Sequence, residues 1–553
     1  MEVVTTDVLV IGGGVAGLST AIVAREKGLD VLLCSKTAPG LANSSALSAG
    51  GFRSQNSSFS AEDHRRLTLE TGHNLNEQVL VDTLVENAHQ SIMSLRWYGV
   101  TVKERAMGFY VPAKEKGPAG LCLTRPMADY ARSAGVRFLY PFQACEIIRG
   151  KDKALGVWGL QGYNNKSLAI EAKAVVLATG GGGATFLRTD NPLNTTGDGF
   201  CLAYRAGLPL MDMEFIQFYP MATFGTGQAG GNLLPILADV GRFVNCDGEN
   251  LVEKYHINKL PLAISSRDQL SRALAREVAL GKGVGGGIVL EFNVTDKDWE
   301  RAGKLWGYDE DHLKGIKSKA DRLLAGKKHL LVMPTAHFVM GGVAADSWGQ
   351  TDIPGLLVAG EVAGGLHGAN RMGGNALTEA VVFGIRAGQK ALDLVNKKKS
   401  TISGLGKVAA LAQKGMDKAV EKYVGSSGKR DISLIEFKKN IRRLLWNNAG
   451  ILRTESLLLK AEQELNRCQK DLAYINIAAG NELAGFLEIE NMLIMSRMIV
   501  KSALQRQESR GSHFRADFTA TDNDNWQKHI LIKKKGKNMD LLLCNTGFIT
   551  SPQ

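Results

Sequence analysis

Three short apolar runs punctuate this chain: Asp7-Val-Leu-Val-Ile11, Asp30-Val-Leu-Leu-Cys34 and Leu356-Leu-Val-Ala359. Each has strand length and reads as a buried strand, because no polar residue interrupts its apolar stretch. The first runs into Gly12-Gly-Gly14-Val15-Ala16-Gly17 and a helical pattern. In such a strand–turn–helix Gly12 permits the tight turn, Gly14 lets a pyrophosphate approach, and Gly17 lets helix pack on strand. Taken alone, this motif specifies only a dinucleotide. The third run delivers Glu361 to a loop that holds six glycines between residues 360 and 374, which lets the backbone pass close to a ligand. Asn375 or Ala376 then begins a helix whose free N–H groups can face negative charge. Between 225 and 338 the glycine pattern stops, apart from Gly225–Gly231 and Gly283–Gly287. Asn396–Gly406, rich in Lys, Ser and Gly, reads as a linker. Residues 407 to 510 carry helical periodicity, as in Leu444-Leu-Trp-Asn-Asn-Ala-Gly-Ile-Leu-Arg453, and their apolar stripe reads as core packing.

Composition narrows this picture. At 553 residues, with 44% hydrophobic and 22% charged positions, the chain is sized for two or three soluble globular domains. No apolar run reaches the roughly 18 residues of a membrane span, and Met-Glu-Val-Val-Thr-Thr-Asp7 has no signal-peptide pattern. Seven cysteines are scattered without a Cys-x-x-Cys pair. That excludes a regular iron–sulfur or zinc motif in this chain and predicts reduced thiols in a cytoplasm. Lysine and arginine outnumber acids 67 to 55, a formal charge of +12, with clusters at Lys397–Lys399 and Lys533–Lys537. A basic surface can steer anionic substrates or an acidic partner; no recognition motif supports nucleic acid.

The string Leu357-Val-Ala-Gly-Glu361-Val-Ala-Gly-Gly-Leu-His-Gly-Ala-Asn-Arg371-Met-Gly-Gly-Asn375-Ala376-Leu377 is far more specific than the N-terminal loop. On it the chain resembles the flavoprotein subunits of fumarate reductase and succinate dehydrogenase, with L-aspartate oxidase as a relative. Ala174-Val-Val-Leu-Ala-Thr179-Gly180-Gly181-Gly-Gly183, Asn194-Thr-Thr-Gly-Asp198-Gly and Glu508-Ser-Arg-Gly-Ser-His513-Phe-Arg515 extend the match over essentially the whole chain. The resemblance implies an α/β fold: a Rossmann-like FAD-binding domain (1–224 and 339–395), an inserted α+β capping domain (225–338), a C-terminal helical domain (407–510) and a tail (511–553). Cofactor contacts fall by resemblance on Gly12, Gly14, Val15, Ala16, Gly17, Ser35, Lys36, Ser44, Ser45, Gly50, Gly51, Ala144, Thr179, Gly180, Gly181, Asp198, Glu361, Arg371, Asn375, Ala376 and Leu377. The second strand ends in Ser35-Lys36, as is typical of this family, rather than in the acidic residue expected for NAD.

Reducing a C–C double bond beside a carboxylate needs a hydride from one face, a proton from the other, and cations to hold the developing charge. In enzymes like fumarate reductase an arginine of the capping domain supplies the proton. Ser265-Ser-Arg267-Asp-Gln-Leu matches its segment, giving Arg267 that role. Arginine is a poor acid in water, so the family reloads it through a glutamate and an arginine. Ala238-Asp239-Val-Gly-Arg242 is the matching segment, with Asp239 and Arg242 as the relay. Pro334-Thr-Ala-His337-Phe-Val-Met-Gly-Gly342 matches the family's His-x-x-x-Gly-Gly. His337 and Arg371 would clamp one substrate carboxylate, a histidine donor beside a bidentate fork.

Two departures follow. Where the family holds the second carboxylate with a histidine and a threonine, this chain has Tyr219 and Ala238. A phenol can donate one hydrogen bond but carries no charge, and an under-paired carboxylate costs on the order of 2–5 kcal/mol. An organic acid other than fumarate is expected. Ser44 stands where covalently flavinylated members have histidine, so FAD should be bound without a covalent link. The expectation is a cytoplasmic FAD-dependent oxidoreductase acting on CH–CH groups beside an iron–sulfur subunit, with membrane association only through partners and no nucleic acid. The competing readings are a stand-alone FAD oxidase or reductase, and an electron-transfer subunit that has lost substrate chemistry.

Overall fold

The computed structural model describes residues 1–113, 117–223, 232–397, 405–424, 433–472, 475 and 482–549. The glycine loop at 225–231 and most of the linker at 396–406 lie outside them. The founding element is a seven-stranded sheet. Strands Arg137–Leu139, Val31–Cys34, Glu2–Ile11 and Lys166–Leu177 lie side by side in parallel, with Leu356–Val358 added to the last. Ala154–Gln161 and Phe142–Arg149 extend it as an antiparallel ribbon. The apolar runs are uninterrupted because both faces are covered. Val8 and Val10 face one core with the helices Val15–Glu26 and Asn375–Lys397, while Leu9 and Ile11 face another with Phe200, Leu445 and Met492. The same alternation repeats in Val31–Cys34 and Leu356–Val358. Ile11, Cys34, Leu177 and Val358 are in register at the carboxyl edge, where ligands bind in open α/β sheets.

A second sheet forms the cap, in the order Ile216–Thr223, His329–Val339, Ile288–Glu291, Arg242–Val244. Its core joins Phe243, Leu270, Leu274, Leu290 and Trp299. The strand Ile216–Thr223 belongs to this sheet, so the cap begins before residue 225. Helices Leu405–Val424, Leu434–Ala449, Glu455–Asp471 and Leu483–Gln505 form the C-terminal helical region. The segment expected as a tail is not loose. Lys528–Lys535 and Asn538–Asn545 make a hairpin that pairs with Leu210–Met211, which in turn pairs with Gly342–Val343. The end of the chain is thereby sewn onto the flavin-binding domain. Among the described residues no helix is long and apolar enough to cross a membrane.

Candidate active site

The cofactor cradle assembles where the strand ends meet. Gly12 has φ 123°, and a Cβ there would lie 2.0 Å from the Ala178 carbonyl oxygen; one at Gly17 would lie 1.9 Å from that of Gly12. Both positions therefore require glycine. The helix Val15–Glu26 starts without a side-chain cap, leaving its free N–H groups to an anion, with Ser45 Oγ accepting from the Val15 N–H at 3.3 Å. Ala16 packs against Gly360 and Gly384, tying this helix to the Glu361 loop. Glu361 lies beside Gly181, accepts from the Val339 N–H at 3.0 Å, and burial pushes its carboxyl up to about 8. Thr179 Oγ1 is buried with no hydrogen-bond partner among the described residues, a polar atom that FAD could satisfy. Gly50 takes a positive φ and Gly51 lies against the Arg105 guanidinium.

The remaining expected cofactor contacts are tied down. Lys36 is ion-paired to Asp198 and to Glu488, both at 2.6 Å. Ser35 Oγ donates to the Thr37 carbonyl, and Ser44 Oγ to Asn191 Oδ1 at 3.2 Å. Ala144 is buried in the ribbon strand Phe142–Arg149. Asn375, first residue of its helix, faces inward, bonded to His64 and Thr68, and Ala376 and Leu377 follow it in the first turn. These residues fit FAD: the uncapped helix would hold its pyrophosphate, and the loop that carries Glu361 and Arg371 would hold its ring.

Beside the Glu361 loop stands a wall that the sequence did not announce. Arg267, first residue of the helix Arg267–Ala279, and Arg371, from the glycine loop, both donate to Gln217 Oε1 at 2.8 Å. Gln217 is itself held through Nε2 by Asn370 Oδ1 at 2.7 Å and the Arg371 carbonyl at 2.9 Å. One carboxamide thus sets two guanidiniums side by side. Arg267 is braced further by Nε donating to the Ala263 carbonyl, while Arg371 Nε has no partner among the described residues. Burial lowers both arginines below the ordinary range, Arg371 to about 9, with Arg267 contributing repulsion. Both are therefore easier to deprotonate than in water, and an anion between them relieves the repulsion.

Tyr219 lies between this wall and His337. Arg267 is 5.6 Å from its ring centre and the imidazole is 5.7 Å away. Register shifts on either side of it, at Gln217/Phe218 and Tyr219/Ala222, are bulges of the kind that re-aim side chains next to active sites. The Tyr219 hydroxyl donates to the Leu233 carbonyl at 2.7 Å, so the expectation that it could serve a substrate carboxylate is corrected. Ala238 is buried in the cap core with Leu233 and Leu237. His337 Nδ1 is 2.6 Å from Asp190 Oδ2, a partner that sequence reading missed because Thr-Asp-Asn-Pro has no motif value.

The expected relay is not assembled. The turn Leu237–Val240 buries Leu237, Ala238 and Val240, and partly buried Asp239 accepts from the Leu262 N–H and Trp306 Nε1, each at 2.9 Å. Arg242 is exposed at the start of its strand, opposite Glu291. Among the described residues no hydrogen bond or ion pair links either to Arg267. Packing of the apolar face overrode a spacing match of only five residues.

The chain also matches known families and proteins along its length. A family profile described as FAD binding domain matches residues 7–377, and one described as fumarate reductase flavoprotein C-term matches 438–545. Over 96% of its length the chain is 31% identical to an uncharacterised FAD-dependent oxidoreductase of Methanocaldococcus jannaschii, covering 96% of that protein. It is 29% identical to one of the subunits of the CoM/CoB fumarate reductase of Methanothermobacter marburgensis, over 97% of this chain and 98% of that one. Among solved structures, FrdA of the E. coli quinol fumarate reductase superposes with TM-score 0.85 at 25% identity, covering 100% of this chain and 98% of that one. Mycobacterium smegmatis Sdh1 gives 0.83 at 27%, with 100% and 96% covered.

Proposed function

The chain belongs to the fumarate reductase and succinate dehydrogenase flavoprotein family, and we propose that it is the catalytic component of its system, working on the C–C bond beside a carboxylate of an organic acid other than fumarate. It is an FAD-dependent oxidoreductase of CH–CH groups. Bound FAD supplies the two-electron chemistry at its ring. Arg371 would seat the carboxylate with its unpartnered Nε and its fork. Arg267, held by Gln217 and the Ala263 carbonyl, would hold the proton for the reacting carbon, its burial making release easier. The observation that carries this reading is the shared carboxamide, which sets two buried cations side by side where a bound anion would relieve their repulsion. Tyr219 and Ala238 leave no charged partner for a second carboxylate, which supports a substrate other than fumarate. An iron–sulfur protein is proposed as electron partner, since the seven cysteines are dispersed and no second Gly-x-Gly-x-x-Gly with a strand before it and a long helix after it is found beyond residue 17.

The test is direct. Purified protein, its flavin reduced without oxygen, is mixed with a panel of unsaturated acids, and flavin reoxidation is followed. Reoxidation by one or more acids other than fumarate supports the reading. Reoxidation by none shifts the chain to an electron-transfer role.

A further inference from the structure

Behind the loop that carries Arg371 lies a buried cation that neither the expected cofactor contacts nor the Arg267–Gln217–Arg371 wall uses. We propose that Arg53 tunes the flavin: its guanidinium, held on the loop that would seat the ring and paired with no acid, favours the negatively charged reduced ring and so raises the flavin's reduction potential. The proposal needs bound FAD with its ring on this loop, and no particular acid.

Arg53 ends the short strand Gly51–Arg53 and is 4% exposed. Its backbone is tied to the start of the helix Asn375–Lys397. The Arg53 N–H donates to the Gly374 carbonyl at 3.3 Å and to Thr378 Oγ1 at 3.1 Å, and that hydroxyl donates back to the Arg53 carbonyl at 2.8 Å. The side chain reaches the same loop. Nε and Nη2 both donate to the Gly373 carbonyl, at 3.1 and 3.0 Å, and Nη1 to that of Met107 at 3.0 Å. Arg53 therefore joins the two segments, Gly50–Gly51 and Asn375–Leu377, that are expected to meet the cofactor.

These hydrogen bonds satisfy the donors but not the charge. Among the described residues no carboxylate forms a hydrogen bond or ion pair with Arg53. The groups that face it are the Phe59 ring, its centre 5.8 Å away, the His64 imidazole, and Arg105, whose guanidinium lies against Gly51 and repels it. Burial pushes His64 down to about 4, so it is neutral at pH 7, and it bonds Asn375 Oδ1 at 2.9 Å. Glu379, in the next turn of the helix, is bonded to His367 at 3.0 Å and acts on Arg371 and Glu361. Burial and Arg105 bring Arg53 down to about 9, which still leaves it protonated at neutral pH. A buried cation without a counter-ion is costly, and bracing the loop does not require one, because a neutral amide could donate to the same carbonyl. An anion formed beside it offsets that cost. Reduction places negative charge on a flavin ring, and protein charge near the ring tunes its electronics.

Redox titration of the full-length holoprotein against dyes of known potential tests this. Arg53→Gln keeps an amide donor for the Gly373 carbonyl but removes the charge. It should lower the midpoint by at least about 30 mV, a tenfold weaker preference for reduced flavin. Arg53→Lys keeps the charge and loses the fork, and should recover most of that shift. An unchanged midpoint in Arg53→Gln, or a fall as large in Arg53→Lys, would overturn the proposal, because a mere brace for the loop is damaged by both. If Arg53→Gln does not retain FAD, the wild type decides. In mildly acidic buffer, where free reduced FAD is protonated, its reduced flavin should keep the absorbance of the anion, and the spectrum of the protonated ring would count decisively against Arg53. Neither measurement involves turnover. Failure of the unsaturated-acid panel therefore leaves this inference standing, and failure here leaves the CH–CH reading intact.

Discussion

At the scale of single residues, Arg267, His337 and Arg371 were legible in the sequence because each sits in a string specific enough to name its neighbours. Gln217 and Asp190 were not, since a carboxamide and a lone acid carry no pattern, and their meaning appears only when chain-distant groups converge on them. Replacing Arg267 with alanine should abolish turnover while leaving FAD bound, because the residue sits on the cap rather than in the cradle. Lysine should rescue poorly, being a point charge instead of a planar fork. Normal turnover in the alanine variant would remove Arg267 from the mechanism. Gln217→Leu, of similar volume, leaves both guanidiniums without their shared acceptor. Misplacement on the order of 1 Å can cost about 100-fold, so kcat should fall by roughly that factor with FAD content unchanged; an unaltered kcat would show that the arginines hold position without it. Ser44 offers no imidazole for a histidyl link, so acid precipitation should release yellow flavin into the supernatant. Flavin retained in the pellet after proteolysis would contradict that.

At the scale of elements, the strands were readable from apolar runs because both faces of the sheet are buried, and the glycine turns because sterics allow nothing else. Gly17 tests that directly: a Cβ added there would sit 1.9 Å from the Gly12 carbonyl oxygen. Gly17→Val should therefore yield apoprotein or insoluble chain, and a normal flavin-to-protein ratio would refute the packing argument. What sequence could not show was the docking of the final hairpin, since its edge pairs with a two-residue strand more than 300 positions earlier. Its anchor is His529, buried between Asp212 at 2.5 Å and Glu77 at 3.0 Å. Burial would lower the imidazole, but these two acids outweigh it and raise it from 6.5 to about 9. A raised folded value means the contribution is complete below about pH 6.5 and fades as pH climbs through about 9, roughly 3 kcal/mol in all. Thermal midpoints should therefore drop between pH 7 and pH 9.5, and drop less in His529→Gln. An identical pH dependence in the two proteins would dismiss His529 as the group responsible.

At the scale of the whole molecule, the cap and the flavin-binding domain converge on one candidate site. The cap brings Arg267, Gln217 and Tyr219; the flavin domain brings Arg371 and Asp190; His337 lies on the strand that returns from one to the other. A chain built this way needs recharging after every turnover, and its one strand–Gly-x-Gly-x-x-Gly–helix unit leads to a second strand that ends in Ser35-Lys36 rather than in the acid that favours NAD. Electrons should therefore arrive from a separate protein. Its contact surface is not identified by any single motif, which is why the sequence could suggest a partner but not place it. The excess of lysine and arginine, +12 overall, favours an acidic partner and a salt-sensitive association. Native purification at low ionic strength should recover the chain with a cysteine-rich protein that dissociates as salt is raised. The isolated chain should then be reduced quickly by small viologen dyes and sluggishly by NADH. Rapid, stoichiometric bleaching of its flavin by NADH would overturn the partner argument, because a chain that accepts hydride directly has no need of a one-electron relay.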